Sequence, residues 1–479
     1  MKSKRMNALK TALARRLRDR GGTWWWAIVV IVVPVAFIAT AAVITLLRYV
    51  EPGGNAKDKI EVIKVGLSVG AGTGGVVALV LAGRRQWSTE HDATERRLTE
   101  LYVKAVDQLG SDKVAVRHGG LYALERVAQD NPDHRQAVVD VLCAYLRTPF
   151  QLPGTPRPRN RPGIHRPLAP SRGASRKCAA SEERPKSPTV AELDDDARQE
   201  REVRLTAQRI LATHLKPGID PKHPAKTFWK NINLDLTSAT LIDLDLMGSR
   251  INKASFVNTT FTGVAWFDGA TFTGDARFDG ATFTSDARFN KATFTGDAWF
   301  DWATFTGVAG FDWATFTGDA GFNWATFTGN AWFFEATFTG VAGFDGATFT
   351  GDVWFDGATF TGVAWFDGAT FTGNAGFFEA TFTGNARFDG ATFTSDARFE
   401  KATFTSDTLF GEATFDTAAC ADKARVRVAP VKPDFKHSSW PLGWTAEMPD
   451  AVPSDSVQVW VRLVPVPVIL SSLDEAGAV

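Results

Sequence analysis

Cysteine is nearly absent: Cys143, Cys178 and Cys420 are the three in 479 residues, too far apart in sequence to suggest ligand spacing or a disulfide framework. That usage fits a reducing compartment. Net charge is absent too, with 53 Lys and Arg against 53 Asp and Glu, so composition as a whole points to no polyanionic or polycationic partner. Histidine is sparse. The seven, at 91, 118, 134, 165, 214, 223 and 437, show no metal-ligand spacing, and none stands beside a plausible nucleophile. "GAGTGG" at 70–75 is rich in glycine but lacks the phosphate-loop lysine and lies in an apolar run, where packing explains it better. No enzyme activity, cofactor or metal is therefore expected. Tyrosine and methionine number four each beside 36 phenylalanines, an imbalance that an ordinary globular core does not produce and an internal repeat does.

The N-terminus is of another kind. Residues 1–23 are basic, with eight Lys or Arg against one Asp in the first 20, and an apolar run follows from Trp24 to Leu47. About 20 residues span the hydrocarbon core, so 24–47 reads as a transmembrane helix with Trp24, Trp25 and Trp26 at the interface. A second run, 65–83, holds six glycines and reads as the return helix of a hairpin spanning 24–83. Basic residues flank both outer ends, including Arg84, Arg85, Arg96 and Arg97, which places both ends in the cytoplasm by the positive-inside rule. The expected location is the cell membrane, with the N-terminus and everything after residue 83 cytoplasmic.

Residues 84–150 turn helical. Leu98, Leu101, Ala105 and Leu109, then Val114, Leu121, Leu124 and Val127, recur at helical steps, with Ser111 and Asp112 as candidate N-caps and Asn131 capping a helix that Pro132 begins. The pairing resembles a short HEAT-type unit. Residues 151–190 are rich in Pro, Arg and Ser, with nine basic residues against two acidic, and read as a disordered insert. A further helix and N-terminal cap occupy 191–225.

From 226 to 415 the chain repeats. Leu236, Leu241, Leu246, Ile251, Phe256 and Phe261 stand at intervals of five; then Phe267, Phe272, Phe278, Phe283, Phe289 and Phe294 begin an alternation of six and five that continues to Phe415. Ala stands two before most centres. A mean period of 5.5 fits neither helix nor simple strand pairing. It fits a four-sided coil in which each unit forms one side, centre and Ala point inward, and extra residues widen two opposite corners. Such a coil comprises two units of five and two of six, and a flattened two-sided coil of half that length is the alternative. Nearly nine coils at about 4.8 Å give a rod roughly 40 Å long. Residues 416–479 are left to cap its far end.

"SATLIDLDLMGS" and the "ATFTGDARFDG" series resemble the pentapeptide-repeat proteins, with Ala two before a central Leu or Phe. The resemblance covers about 231–415 and implies a mainly β fold, a right-handed quadrilateral β-helix, here preceded by two transmembrane helices and a small α-helical unit. The N-terminal arrangement resembles bacterial, actinobacterial membrane-anchored members. The departures are the six-residue units and Thr where Asp or Asn often precedes the centre.

Function is sought on the outside. From 261 to 415 there are 19 acidic residues against six basic ones. Trp266, Trp299, Trp332, Trp354 and Trp365 occupy the outward position before Phe, while Trp302, Trp313 and Trp324 replace a corner glycine. Trp266, Trp299, Trp332, Trp354 and Trp365, with Asp275, Asp297, Asp319 and Asp352, form the candidate interaction surface. The leading expectation is a non-enzymatic, membrane-anchored scaffold whose rigid rod binds an unidentified protein, with homo-oligomers through the solenoid ends as a further option. Because some pentapeptide-repeat proteins imitate a DNA duplex, a DNA-mimicking inhibitor of an enzyme such as gyrase is the alternative, although an acidic rod is poorly suited to binding nucleic acid itself. The recurring Thr-Phe-Thr triplets raise a third option, an extracytoplasmic ice- or ligand-binding solenoid.

Overall fold

The computed structural model describes residues 96–150, 152, 190–218, 220 and 223–416, three later strands, and scattered helical residues between 37 and 86. Two compact units result, 1–100 and 101–479. In the first, Phe37, Thr40, Ala41 and Ile44 of one apolar run and Gly75, Ala78, Leu79 and Ala82 of the other are helical. Among the described residues no helix is long and apolar enough to cross a membrane. The basic segment 1–23, and most of the runs 24–47 and 65–83 on which two spanning helices were expected, lie outside the described residues, as does nearly all of the 151–190 insert.

The second unit opens with helical residues 101–109, followed by helices Val114–Asp130, Arg135–Arg147 and Val190–Leu215. Their shared core is Leu121, Leu124, Val138, Leu142, Leu146, Val203 and Ile210, each at most 3% exposed. The termini differ from expectation. Lys113 is the N-cap of Val114–Asp130 and makes no side-chain cap; Ser111 Oγ instead accepts from the Lys113 N–H at 3.2 Å. Asn131 donates backward to the Val127 carbonyl at 2.9 Å, closing the preceding helix, while Pro132 starts the 3-10 turn Pro132–His134. Buried Arg204 ties the helices together: its guanidinium donates to Glu200 at 2.8 Å, to the Leu146 carbonyl at 2.9 Å and to the Thr148 carbonyl at 2.7 Å. Arg117 and the Tyr145 hydroxyl bond the same Glu200 carboxylate, whose charge, after burial, drives the Tyr145 hydroxyl pKa upward.

These helices seat on the first coil. Gln208 donates to the Ile242 carbonyl at 2.7 Å and accepts from the Ile242 N–H at 3.0 Å, so one amide side chain occupies the open edge of strand Thr240–Ile242. Arg147 pairs with Asp235, and Gln136 both donates to the Asn233 carbonyl and accepts from its N–H.

From Leu234 onward the backbone winds through four parallel faces. Two have nine strands, one has seven, and the fourth has eleven once the C-terminal strands are included. Pairing is one coil apart: Ala287 lies beside Ala309, Phe294 beside Phe316 and Phe305 beside Phe327, so the coil closes through four sides and not two. The earliest coils are shorter, with Leu234 paired to Ala254 and Arg250 to Thr271, as their five-residue units require. Two faces are built of Thr-Phe strands and two of Ala-x strands, alternating around the coil.

Phe267, Phe272, Phe278, Phe283, Phe289 and Phe294, expected in the core, are all 0% exposed, as are the alanines Ala270, Ala276 and Ala281. The rings form four ranks. Within a rank, rings stack nearly parallel, Phe267 on Phe289 at 4.6 Å and Phe278 on Phe300 at 4.6 Å; between ranks they meet edge to face, Phe278 on Phe289 at 5.4 Å and 88°. A small residue stands at this inward position because the Phe rings of four sides leave little further volume; Val353 and Thr408, both 0% exposed, take the place of Ala in two coils. At the C-terminal end, strand Arg425–Val428 pairs parallel with Thr403–Phe404, and strands Val459–Pro465 and Trp444–Glu447 follow antiparallel, extending one of the four faces.

Candidate interaction surface of the solenoid

The corners follow directly from the six-and-five alternation. After each Phe of the Ala-x faces comes a two-residue turn whose second residue is left-handed. Glycine fills it at Gly269, Gly280, Gly346, Gly357, Gly368 and Gly390 with φ between 62° and 67°. Elsewhere Lys291, Glu335, Glu379, Lys401 and Glu412 hold it, and so do Trp302, Trp313 and Trp324, with φ of 62°, 55° and 58°. An aromatic side chain in this region is strained by about 1–2 kcal/mol.

The first turn residue is acidic or amidic in most coils, with Phe334, Phe378 and Gly411 among the exceptions, for a structural reason. Asn323, Asp345, Asp367, Asp389 and Gly411 each donate a backbone N–H to the residue one coil earlier, at Asp301, Asn323, Asp345, Asp367 and Asp389, over 2.7–3.2 Å. The two widened corners carry similar ladders. There Asp297 accepts from the Asp319 N–H, Asp319 from Val341 and Asp352 from Asn374, while Asp275 pairs with Lys253. The candidate carboxylates Asp275, Asp297, Asp319 and Asp352 thus lie at corners, and the last three are engaged in holding successive coils in register. Burial pushes the pKa of Asp301, Asp312, Asp345, Asp356 and Asp367 above the ordinary carboxylate value.

The five tryptophans expected to stand exposed are half-buried instead. Trp266, Trp299, Trp332, Trp354 and Trp365 lie on the Ala-x faces, and Trp266, Trp299 and Trp354 pack against the following coil. A β-carbon at Gly321 would come within 2.7 Å of Trp299 Cε3, and one at Gly376 would strike the Trp354 ring. The Arg288 guanidinium covers Trp266 at 4.5 Å from the ring centre. Outward direction in a single coil is therefore not exposure, because the neighbour one full coil on supplies a bed. Among the described residues of the coils the most exposed aromatics are the corner residues Trp302, Trp313 and Trp324, at 64%, 49% and 55%, with Phe378 at 37%. Trp302 and Trp324 share one corner and stack at 5.6 Å and 13°, with the Trp324 ring over Gly346. Trp313 is on the opposite corner, donating to Glu335 at 3.0 Å with Lys291 Nζ 5.5 Å from its ring centre.

Among the described residues no group of His, Cys, Asp and Glu is arranged to hold a metal ion. Cys143 is buried in the helical core, and burial pushes its thiol up to about 12, so it stays protonated.

The family described as Pentapeptide repeats (9 copies) matches residues 256–301, 333–381 and 377–422. Over those residues the coils match pentapeptide repeats. The interval between the first two matched segments, 302–332, continues the repeat geometry without a break and contains Trp302, Trp313 and Trp324. No curated protein and no solved structure matches the chain.

Proposed function

We propose that the chain is a membrane-anchored, non-enzymatic scaffold whose pentapeptide-repeat rod recognises a protein partner through its corner tryptophans. The observation that carries this reading is the exposure of Trp302, Trp313 and Trp324 in a left-handed position that other coils fill with glycine or a charged residue. The fold does not need them there, and large exposed aromatics mark recognition surfaces. Rigidity supports the same reading: a rod with four ranks of stacked rings holds its surface residues in fixed register, so little ordering entropy is lost on binding. The anchor rests on the apolar runs 24–47 and 65–83 and their basic flanks, and on the helical, outward Phe37, Ile44 and Leu79, exposed by 73%, 52% and 75%. With both outer ends basic, the rod lies on the cytoplasmic side.

Duplex mimicry draws less support, since many of the carboxylates it would display accept backbone N–H groups at corners. The test is affinity capture with the full chain and with a variant carrying Trp302→Thr, Trp313→Thr and Trp324→Thr. Partners retained by the parent and lost by the variant support the scaffold. An identical partner set from both overturns the role of these residues. Inhibition of gyrase supercoiling by the variant and the parent alike would move the reading to the mimic. Protease access to a C-terminal tag in intact cells, against protection there and cleavage after permeabilisation, decides the topology.

A further inference from the structure

Three of the rod's outward aromatics are covered by its own cations. Arg288 sits over Trp266 at 4.5 Å, Lys291 over Trp313 at 5.5 Å and Lys401 over Phe378 at 4.6 Å from the ring centre. The Trp302 and Trp324 pair is different. It is the most exposed aromatic surface on the coils, yet among the described residues no cation lies over either ring. The carboxylates flanking it in the same corner rank, Asp301 and Asp345, each accept one backbone N–H through Oδ1 but take no ion pair among the described residues, whereas Asp367 and Asp389 farther along that rank share Arg387.

From this we infer that the Trp302–Trp324 corner is a receptor for an arginine side chain of a basic segment on a protein partner, with Asp301 and Asp345 supplying the countercharge. The inference rests on the proposed scaffold reading and adds the chemistry of its partner. A guanidinium stacks flat on an indole and is more weakly hydrated than an ammonium, so Arg is favoured over Lys at such a site. The two rings stack at 5.6 Å and 13°, a spacing wider than flush face-to-face contact, so they are offset and together form one aromatic patch. The excess of 19 acidic over six basic residues from 261 to 415 attracts a basic segment at long range, while the ring pair selects where it settles.

The full chain is titrated with a fluorescent octa-arginine peptide, with octa-lysine and octa-glutamate for comparison, and anisotropy is read at two salt concentrations. Octa-arginine should bind more tightly than octa-lysine, and Trp302→Gly with Trp324→Gly should weaken octa-arginine by roughly tenfold, because two cation–π contacts are lost. Trp354→Gly, which removes a half-buried face residue, should leave it unchanged. Equal binding by the double variant and the parent overturns the inference, since attraction would then come from the acidic rod at large. So does octa-lysine binding as tightly as octa-arginine. A chain lacking residues 153–189 is the remaining arm: octa-arginine binding only after that deletion would show that the chain's own basic insert occupies the corner, which also overturns recognition of a separate partner. The scaffold reading has its own readout. Captured partners that depend on Trp302 and Trp324 while octa-arginine does not would leave the scaffold standing and remove the arginine chemistry.

Discussion

Replacing Phe316 by Ala tests whether the ring ranks hold the rod together. Phe316 is 0% exposed and lies between Phe294 and Phe338, each 4.8 Å away and 2° from parallel, with Phe322 edge-on at 6.0 Å and Phe311 at 6.3 Å. Removing a buried Phe side chain costs about 3–5 kcal/mol when the surroundings cannot collapse, and backbone hydrogen bonds to both adjacent coils prevent collapse here. Phe415 is the comparison. It is half-buried in the last coil and has two ring neighbours, Phe393 at 4.7 Å and Phe410 at 6.2 Å, so Phe415→Ala should cost roughly half as much. Position matters beyond magnitude. In a solenoid each coil contacts only its neighbours, so a defect in the middle separates two blocks while one at the end shortens a single block. Equilibrium urea unfolding of the full chain, followed by far-ultraviolet circular dichroism, should therefore show a lower midpoint for both variants and a broadened or two-step transition for Phe316→Ala alone. A cost below about 1 kcal/mol for Phe316→Ala, or equal costs at the two sites, would refute the picture of rigid ranks with nearest-neighbour coupling.

Two further outcomes follow from close contacts and charge. Gly340→Ala should destabilise the rod by about 1–3 kcal/mol in the same unfolding assay, because a β-carbon there would lie 2.6 Å from the Gly318 carbonyl oxygen and 2.7 Å from its carbonyl carbon, atoms of a stacked backbone that cannot move alone. For the corner carboxylates the native pKa values are raised, chiefly by burial, so the folded state binds more protons than the unfolded state between those values and the ordinary carboxylate range; stability should rise as pH falls from neutral through that window and be lost again as pH returns to neutral. Asp345→Asn should weaken this pH dependence without loss of stability at neutral pH, since Asn323 already serves in the same rank by accepting the Asp345 N–H at 3.1 Å; thermal melts across pH check both, and melting points independent of pH, or falling on acidification through the window, would contradict the assignment.

The repeat was legible because its interior obeys a constraint that sequence displays without ambiguity. Phe and Ala must return at the same inward points of every coil, and a substitution at one coil leaves a mismatch against the coils above and below. The number of sides was not fixed by the same spacing, which a two-sided coil of half the length also satisfies; the pairing of Phe294 with Phe316 and not with Phe305 decides it. The helical cap was legible as helices but not at their ends, because Ser111 and Asn131 bond locally in ways that spacing alone does not distinguish from capping. What could not be read coil by coil was exposure. Trp299 and Trp302 stand close together in sequence and both point outward, yet one is half-buried on a face and the other is 64% exposed at a corner.

The difference becomes readable once the coil register is known, because an outward side chain leans onto the residue one full coil ahead. Trp299 is followed at that distance by Gly321, Trp354 by Gly376, Trp266 by Arg288 and Trp365 by Arg387: a small residue that makes room, or a cation that can stack. Trp302 is followed by Trp324, and Trp324 by Gly346. Neither partner brings a charge, and the corner turn already directs both rings away from the faces. The surface of this rod is thus written at a lag of one coil, although Trp332 meets Trp354 there and Trp324 lies over Gly346 as Trp299 lies over Gly321. What sets the Trp302–Trp324 corner apart is its exposure, 64% and 55%, and since its backbone conformation would be less strained with glycine, it is on this corner that an external partner has the most to contribute.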